Sequence, residues 1–274
     1  MGKIIIFAKN FSNMVLIDTH SHIYEDDFND DREDVISRLL QNNVKKVLLP
    51  NIDLPSLPKM LDLESKDPVL FSSMNGLHPT SVKEDYQSQL DALYPSFAQH
   101  NYCGVGEIGL DFYWDRTFEK EQIIAFEEQV DWAIQMNLPL ALHVRKALPE
   151  TIASLKKFDK NKLHGVFHSF SGSYEMTKEI ERLGDFYFGI NGVVTFKNAG
   201  VAEVVKNIPL ERILLETDCP YLTPVPFRGK RNESSYVIYV AEKIASVKEI
   251  SLDEVANQTT QNAKELFRIS VIKE

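Results

Sequence analysis

A closed α/β barrel, eight parallel strands each followed by a helix in a single (β/α)8 TIM-type domain, is the fold that this sequence predicts. Eight short runs rich in leucine, isoleucine, valine and phenylalanine recur along the chain, and stretches of helical length separate most of them. A strand followed by a helix and then a strand forces parallel pairing, because the crossover returns the chain to the same end of the sheet. The runs are apolar without strict alternation, which suits strands covered on both faces. A length of 274 residues also falls in the range of one such barrel, roughly 250 residues. An open doubly wound sheet is the alternative that pattern alone leaves standing.

The strand-like runs are Met14–Asp18, Val44–Leu49, Val69–Met74, Tyr102–Glu107, Leu138–Leu142, Leu163–Phe167, Phe186–Ile190 and Ile213–Glu216. Between the fourth and fifth, Thr117–Met136 sets Ile123, Ile124, Phe126, Val130, Trp132, Ala133 and Ile134 on a broad apolar helical face. Helices around Glu233–Val247 and Leu252–Phe267 follow the eighth strand and close the outer ring. The pattern begins cleanly at Met14, so residues 1–13 read as an N-terminal extension and 14–274 as one domain. No internal repeat, low-complexity segment or linker divides it.

Hydrophobic residues at 43% and charged residues at 26% describe an ordinary globular protein. Forty acidic against thirty basic side chains leave a formal charge of -10, with a pI of about 5.3. Such a chain lacks the broad basic stripe of a protein that tracks long duplex DNA. Cys103 and Cys219 are too few for a disulfide framework and have no paired zinc spacing, so both read as packing residues in a reducing compartment. The apolar run near the N-terminus is too short for a signal segment or a membrane span. The expectation is a cytoplasmic protein with no membrane association and no obligate protein partner.

Five of the seven histidines stand at or just beyond strand ends: His20, His22, His78, His143 and His168. In a barrel the C-terminal strand ends converge on one mouth, so these distant residues become neighbours. Glu107 closes the fourth run and Asp218 follows the eighth, adding carboxylates to the same mouth. His20 and His22, at i and i+2 of an extended segment, project to one side. Imidazole with carboxylate suits zinc, manganese or magnesium without naming the ion. A carboxylate buried behind an apolar strand is costly unless paired or metal-bound. Each residue also has a plainer role, a hydrogen-bonded core histidine or, for Glu107, an ion pair with arginine; their concurrence at strand ends favours metal.

Among the remaining residues, Glu216 reads as a supporting group, and His100 and His164 as structural residues away from the mouth. His78, Arg145 and Arg228 are the candidate substrate contacts, and Lys146, Lys230 and Arg231 could add charge or simply be solvated. Phe112, Tyr113 and Trp114 either stack on a nucleobase or pack their loop.

From Met14 onward the chain resembles the TatD-type metal-dependent deoxyribonucleases of the wider amidohydrolase-like barrel superfamily. The resemblance rests on IDTHSH at 17–22, GLHP at 76–79, GEIGLDFYW at 106–114, LPLALHVR at 138–145, VFHSFSGS at 166–173, LLETDCPYL at 214–222 and PFRGKRNE at 226–233. It implies two divalent cations (Mg, Mn, Zn or similar), one held by His20, His22 and Asp218, the second by His143 and His168, with Glu107 bridging both. It also implies hydrolysis of phosphodiester bonds in DNA, often from a 3′ end. Ser169 stands where many relatives carry cysteine, a departure that leaves the ligand positions intact. For a site of this kind Glu107 would set the cation spacing and Asp218 would be the general base. With an acidic chain, DNA ends, single strands or small phosphodiesters are the expected substrates. A small ester, lactone or amide is the alternative, since one fold serves many substrates; Glu107 stands where a carboxylated lysine would have favoured the amide branch.

Overall fold

In the computed structural model, which describes residues 14–271, eight strands form one sheet in chain order with every neighbouring pair parallel. The expectation for residues 1–13 lies outside the described residues. The strands are β1 (Leu16–Asp18), β2 (Val44–Pro50), β3 (Phe71–Asn75), β4 (Gly104–Asp111), β5 (Leu140–Arg145), β6 (His164–Phe167), β7 (Asp185–Ile190) and β8 (Ile213–Leu215). The helices are α1 (Arg32–Gln41), α2 (Leu57–Lys66), α3 (Tyr86–Leu93), α4 (Glu119–Met136), α5 (Leu148–Leu155), α6 (Tyr174–Ile180), α7 (Val201–Asn207), α8 (Val237–Lys248) and α9 (Leu252–Phe267).

The sheet closes on itself just past the ends of β1 and β8. Thr19 N donates to Leu215 O at 3.0 Å, Asp218 N to His20 O at 2.9 Å and His22 N to Cys219 O at 2.9 Å. The open-sheet alternative is thereby excluded, and among the described residues the sheet has no free edge strand. Two strands run further than their apolar content suggests. The fourth continues through Gly109 to Asp111 and the fifth through His143 to Arg145. Glu107 therefore lies inside β4, beside a register shift between Val105 and Ile108, and His143 inside β5. Polar residues at the mouth hide these extensions from a reading that follows hydrophobicity.

Three apolar clusters among the described residues hold the barrel. The largest lies between strands and helices; α4 enters it with Phe126, Val130 and Ala133, while Ile124, expected on that face, is exposed. α4 ends at Asn137, whose φ of 53° takes the left-handed conformation that Asn tolerates at a helix C-terminus. A second cluster joins Ile17, Leu48, Met74, Ala141, Val166, Tyr187 and Leu214, one from each strand except β4, to Ala263, Leu266 and Phe267 of α9, and a third packs α3 against α4 through Leu90, Leu93, Ala125 and Trp132. The strand residues of the second cluster face inward, and α9 caps them as the floor of the barrel. Side chains alternate faces along a strand. Two residues beyond Ala141, Val166 and Leu214 come His143, His168 and Glu216, so the row that begins as floor ends as polar mouth.

β5 and β6 approach closely because Gly165 has no side chain; a Cβ there would stand 2.3 Å from Leu140 O. Gly165→Ala must part the two backbones, and overpacking of this kind costs about 1–3 kcal/mol. A fall in Tm of roughly 3–10 °C is expected by calorimetry, at about 2–4 °C per kcal/mol for a chain of this size. A Tm equal to that of the parent would contradict the close packing of this pair.

Candidate metal centre

Glu107 is buried, and its two carboxylate oxygens face different imidazoles. Oε2 lies 3.0 Å from His20 Nε2 and 3.4 Å from His22 Nε2. Oε1 lies 2.8 Å from His143 Nδ1, 3.3 Å from His78 Nε2 and 3.6 Å from His168 Nε2. Asp218 divides in the same way, Oδ1 standing 3.6 Å from His22 Nε2 and 3.9 Å from His20 Nε2, and Oδ2 3.8 Å from His168 Nε2. Residues more than a hundred positions apart are thus gathered around one carboxylate. The rings of His20 and His168 stack with centroids 3.5 Å apart, whereas those of His143 and His168, expected to share an ion, are 6.3 Å apart and reach Glu107 Oε1 separately.

The outward ring nitrogens test whether this set suits cations, since a ligating imidazole usually donates its other N–H to a fixed acceptor. His22 Nδ1 lies 3.0 Å from Tyr24 Oη, which itself donates to Pro50 O at 2.5 Å, so the phenol oxygen accepts from His22 and leaves Nε2 with its lone pair inward. His143 Nε2 faces Asp111 Oδ2 at 3.0 Å, which frees Nδ1 toward Glu107. His168 Nδ1 lies 3.1 Å from Glu216 Oε1, without full hydrogen-bond alignment. His20 Nδ1 is buried with no partner among the described residues. Inward lone pairs backed by carboxylate or phenol, around buried carboxylates, are a donor set that fits divalent cations. His20, Glu107 and His168, and separately His20, His22 and Asp218, hold ligand atoms within 4.8 Å of one another; so do His78, Glu107 and His143.

His78 has a different local setting. Its Nδ1 accepts from Thr80 N at 3.1 Å, so the neutral ring carries its proton on Nε2, toward Glu107 and His143. This makes His78 a donor toward Glu107 at the mouth.

Charge in the cluster follows from burial and mutual pairing. Burial pushes the Glu107 carboxyl up, but His78, His20, His168 and His143 together outweigh it and hold it well below the usual carboxylate range. Burial lowers His168, yet Glu216, Asp218 and Glu107 lift it to about 10. His143 is lowered by burial and raised by Asp111 and Glu107, with a net rise to about 8. Burial pushes Asp218 up to about 6, against His168 and His22. Asp218 also takes a φ of 58°, the left-handed region where a non-glycine residue is held only by its surroundings.

The other expected residues fall as follows. Glu216 supports the site, accepting from Ser169 N at 2.7 Å beside His168. Gly189 on β7 makes room for it, since a Cβ there would stand 2.1 Å from Glu216 Oε2. Arg145 leaves the end of β5 and lies over the rings of Tyr113 at 4.0 Å and Trp114 at 5.0 Å. Arg228, in the loop after β8, lies 4.3 Å from the Phe196 ring. Arg231 is tied to Asp31 at 2.6 Å, a structural pairing and not a free charge for substrate. Phe112 is buried in the main core, so it packs inward and does not stack on a ligand. Cys219 is buried with Sγ 3.0 Å from Ser21 Oγ. His100 pairs with Glu64 at 2.8 Å, and His164 opens β6 at the far end of the barrel. Tyr24 and Asp111 were missed by sequence reasoning; the spacing of Asp111 from Glu107, four residues along the same motif, was the available signal.

A closed parallel barrel whose C-terminal mouth assembles imidazoles and carboxylates in this way defines a metal-dependent hydrolase of the amidohydrolase-like fold. More narrowly, the chain belongs to the TatD family, whose model, described as TatD related DNase, matches residues 17–268. It is 38% identical over 257 residues to YabD of Bacillus subtilis (strain 168), an uncharacterized metal-dependent hydrolase, covering 93% of this chain and all of the relative. It is 34% identical over 261 residues to YcfH of Escherichia coli (strain K12), likewise an uncharacterized metal-dependent hydrolase, covering 93% and 97%. Among solved structures it superposes on YJJV, a TatD homolog from Escherichia coli K12, with a TM-score of 0.87 at 28% identity, covering 93% and 98% of the two chains. No helix among the described residues is long and apolar enough to cross a membrane.

Two outcomes follow from the pairing. In chelator-stripped protein at pH 7, His143 and His168, with pKa values raised to about 8 and about 10, carry protons that cation uptake must displace. Uptake therefore releases protons and strengthens as pH rises through about 8; calorimetry in buffers of different ionisation enthalpy reads this, and heats independent of buffer would contradict it. Asp111→Asn removes the acceptor behind His143, and cation affinity is expected to fall roughly 10–100-fold, measured by competition with a fluorescent chelator.

Proposed function

We propose that this chain hydrolyses phosphodiester bonds of DNA, acting at ends or in single strands, with two divalent cations held by His20, His22, Glu107, His143, His168 and Asp218. The observation that carries the reading is the divided carboxylate of Glu107, one oxygen toward His20 and His22 and the other toward His143 and His168. When bound, a cation pair neutralises phosphate charge and lowers the pKa of a water near neutral pH. Glu107 sets the separation of the two half-sites, and its suppressed pKa keeps it anionic for that task.

Asp218 acts as the general base. Its carboxylate is half-buried and keeps more exposure than that of Glu107, and it stands beside His20, His22 and His168, where an attacking water can reach it. Beside it, Glu216 stands 3.1 Å from His168 Nδ1 and supplies the charge opposite to that ring. His78 donates Nε2–H to a non-bridging phosphate oxygen. Arg145 and Arg228 add positive charge on the rim, which offsets the net charge of -10 where substrate arrives. The family description as a DNase supports the choice of nucleic acid, and the acidic surface favours short or unpaired strands over long duplex. We place the reaction in the cytoplasm.

Glu107→Ala and His143→Ala each remove a ligand outright, so chelator-sensitive cleavage of fluorescent single-stranded DNA is expected to fall by more than the roughly 100-fold that a supporting residue costs. Circular dichroism must show both variants folded. Cleavage of a panel of esters and lactones but not of DNA by the parent protein would overturn the phosphodiester reading, and full activity in the variants would overturn the site.

A further inference from the structure

The mouth has an aromatic wall that the metal centre does not use. Trp114 is 70% exposed and Tyr113 50% exposed, the indole meeting the phenol edge-on at 4.9 Å. Burial of rings this large is the usual gain of placing them in a protein, and here most of that gain is left untaken. Their neighbour Phe112 does the packing for this segment. Arg145 lies over both rings, so the wall already carries a guanidinium of the sign that a phosphate attracts.

A cavity of about 310 Å³ opens beside this wall, lined by Trp114, Phe118, Val82, Lys83, Gln122 and Asp111. Its size is at the lower end of small-molecule sites, roughly 300–1,000 Å³. Asp111 joins it to the centre: one carboxylate oxygen faces His143 Nε2 at 3.0 Å and the other accepts from Tyr113 N at 2.9 Å. The aromatic segment is therefore fixed to the same carboxylate that orients a candidate ligand. Lys83, 5.4 Å from the Phe118 ring, also lines the cavity, paired with Asp115 at 3.9 Å.

We infer that Trp114, Tyr113 and Arg145 form a stacking subsite for one unpaired nucleobase, belonging to a nucleotide adjacent to the cleaved phosphodiester. Flat aromatic faces accept any base, because every base has a π-face, and an arginine beside them adds cation–π attraction together with a contact for the neighbouring phosphate. A base can reach such a wall only when it is out of a duplex, so this subsite selects frayed ends and single strands. The inference rests on the phosphodiesterase reading.

The experiment compares two fluorescent oligonucleotides that differ only in the nucleotide flanking the cleaved bond, one bearing thymine and the other an abasic tetrahydrofuran residue. The parent enzyme is expected to prefer the thymine substrate, and the ratio of kcat/KM between the two should collapse toward one in Trp114→Ala, with the loss mainly in KM and of roughly 10–100-fold. Trp114→Phe should restore part of the preference, since phenylalanine retains a stacking face. Tyr113→Ala, tested alongside, should lower the ratio in the same direction. A ratio unchanged in both alanine variants, or a parent enzyme that treats the two substrates alike, overturns the subsite while leaving the nuclease reading intact. A parent protein that cleaves neither oligonucleotide but hydrolyses esters under the same conditions overturns that reading, and the subsite with it.

Discussion

The carboxylate of Glu107, buried in the middle of β4 and ringed by His20, His22, His78, His143 and His168, is the constraint from which the rest of the mouth follows. An isolated buried carboxylate would pay a desolvation penalty of several kcal/mol, and a cluster of buried imidazoles would be no better if they shared a proton's charge without a counter-ion. Each sign makes the other tolerable. The alternation continues outward through His143 to Asp111 and through His168 to Glu216, so charge of either sign meets its opposite within hydrogen-bond reach. At His143 the pairing fixes ring orientation as well as charge, because a ring hydrogen-bonded at both nitrogens has no rotational choice left.

Much of this arrangement was legible from the primary structure because strand periodicity and chemistry coincide. On β5, β6 and β8 the inward row passes from Ala141, Val166 and Leu214 to His143, His168 and Glu216 within one step of two residues. A histidine or acid at the end of an apolar run is thus a visible sign of the change from floor to mouth. The run of eight such segments in one chain likewise made the barrel readable, although its closure depends on hydrogen bonds between residues near positions 20 and 218 that no local pattern contains.

What escaped notice shares a physical cause. Tyr24 supports His22 from two residues away, but only through a turn that points the phenol at Pro50 O. Asp111 stands between the buried Leu110 and Phe112 at the last position of β4, where a single acid reads as the polar end of an apolar segment and not as a partner of a histidine on the next strand. Phe112, Tyr113 and Trp114 look equivalent in sequence, yet one is core and two are surface. The difference arises where the strand ends and the alternation of faces ceases to apply. Periodicity finds rows; it does not find the residue at which a row stops.

The floor made by α9 has a consequence for how the chain reaches its native state. Ala263, Leu266 and Phe267 complete the inner layer begun by Ile17, and β1 finds its second neighbour only in β8. Strand–helix units earlier in the chain can pair with one another, but the inner layer stays open to water at its floor until α9 docks on it. Contacts of such sequence separation are slow to form, so the apolar inner row is covered only late in folding, when an element from the far end of the domain seals it.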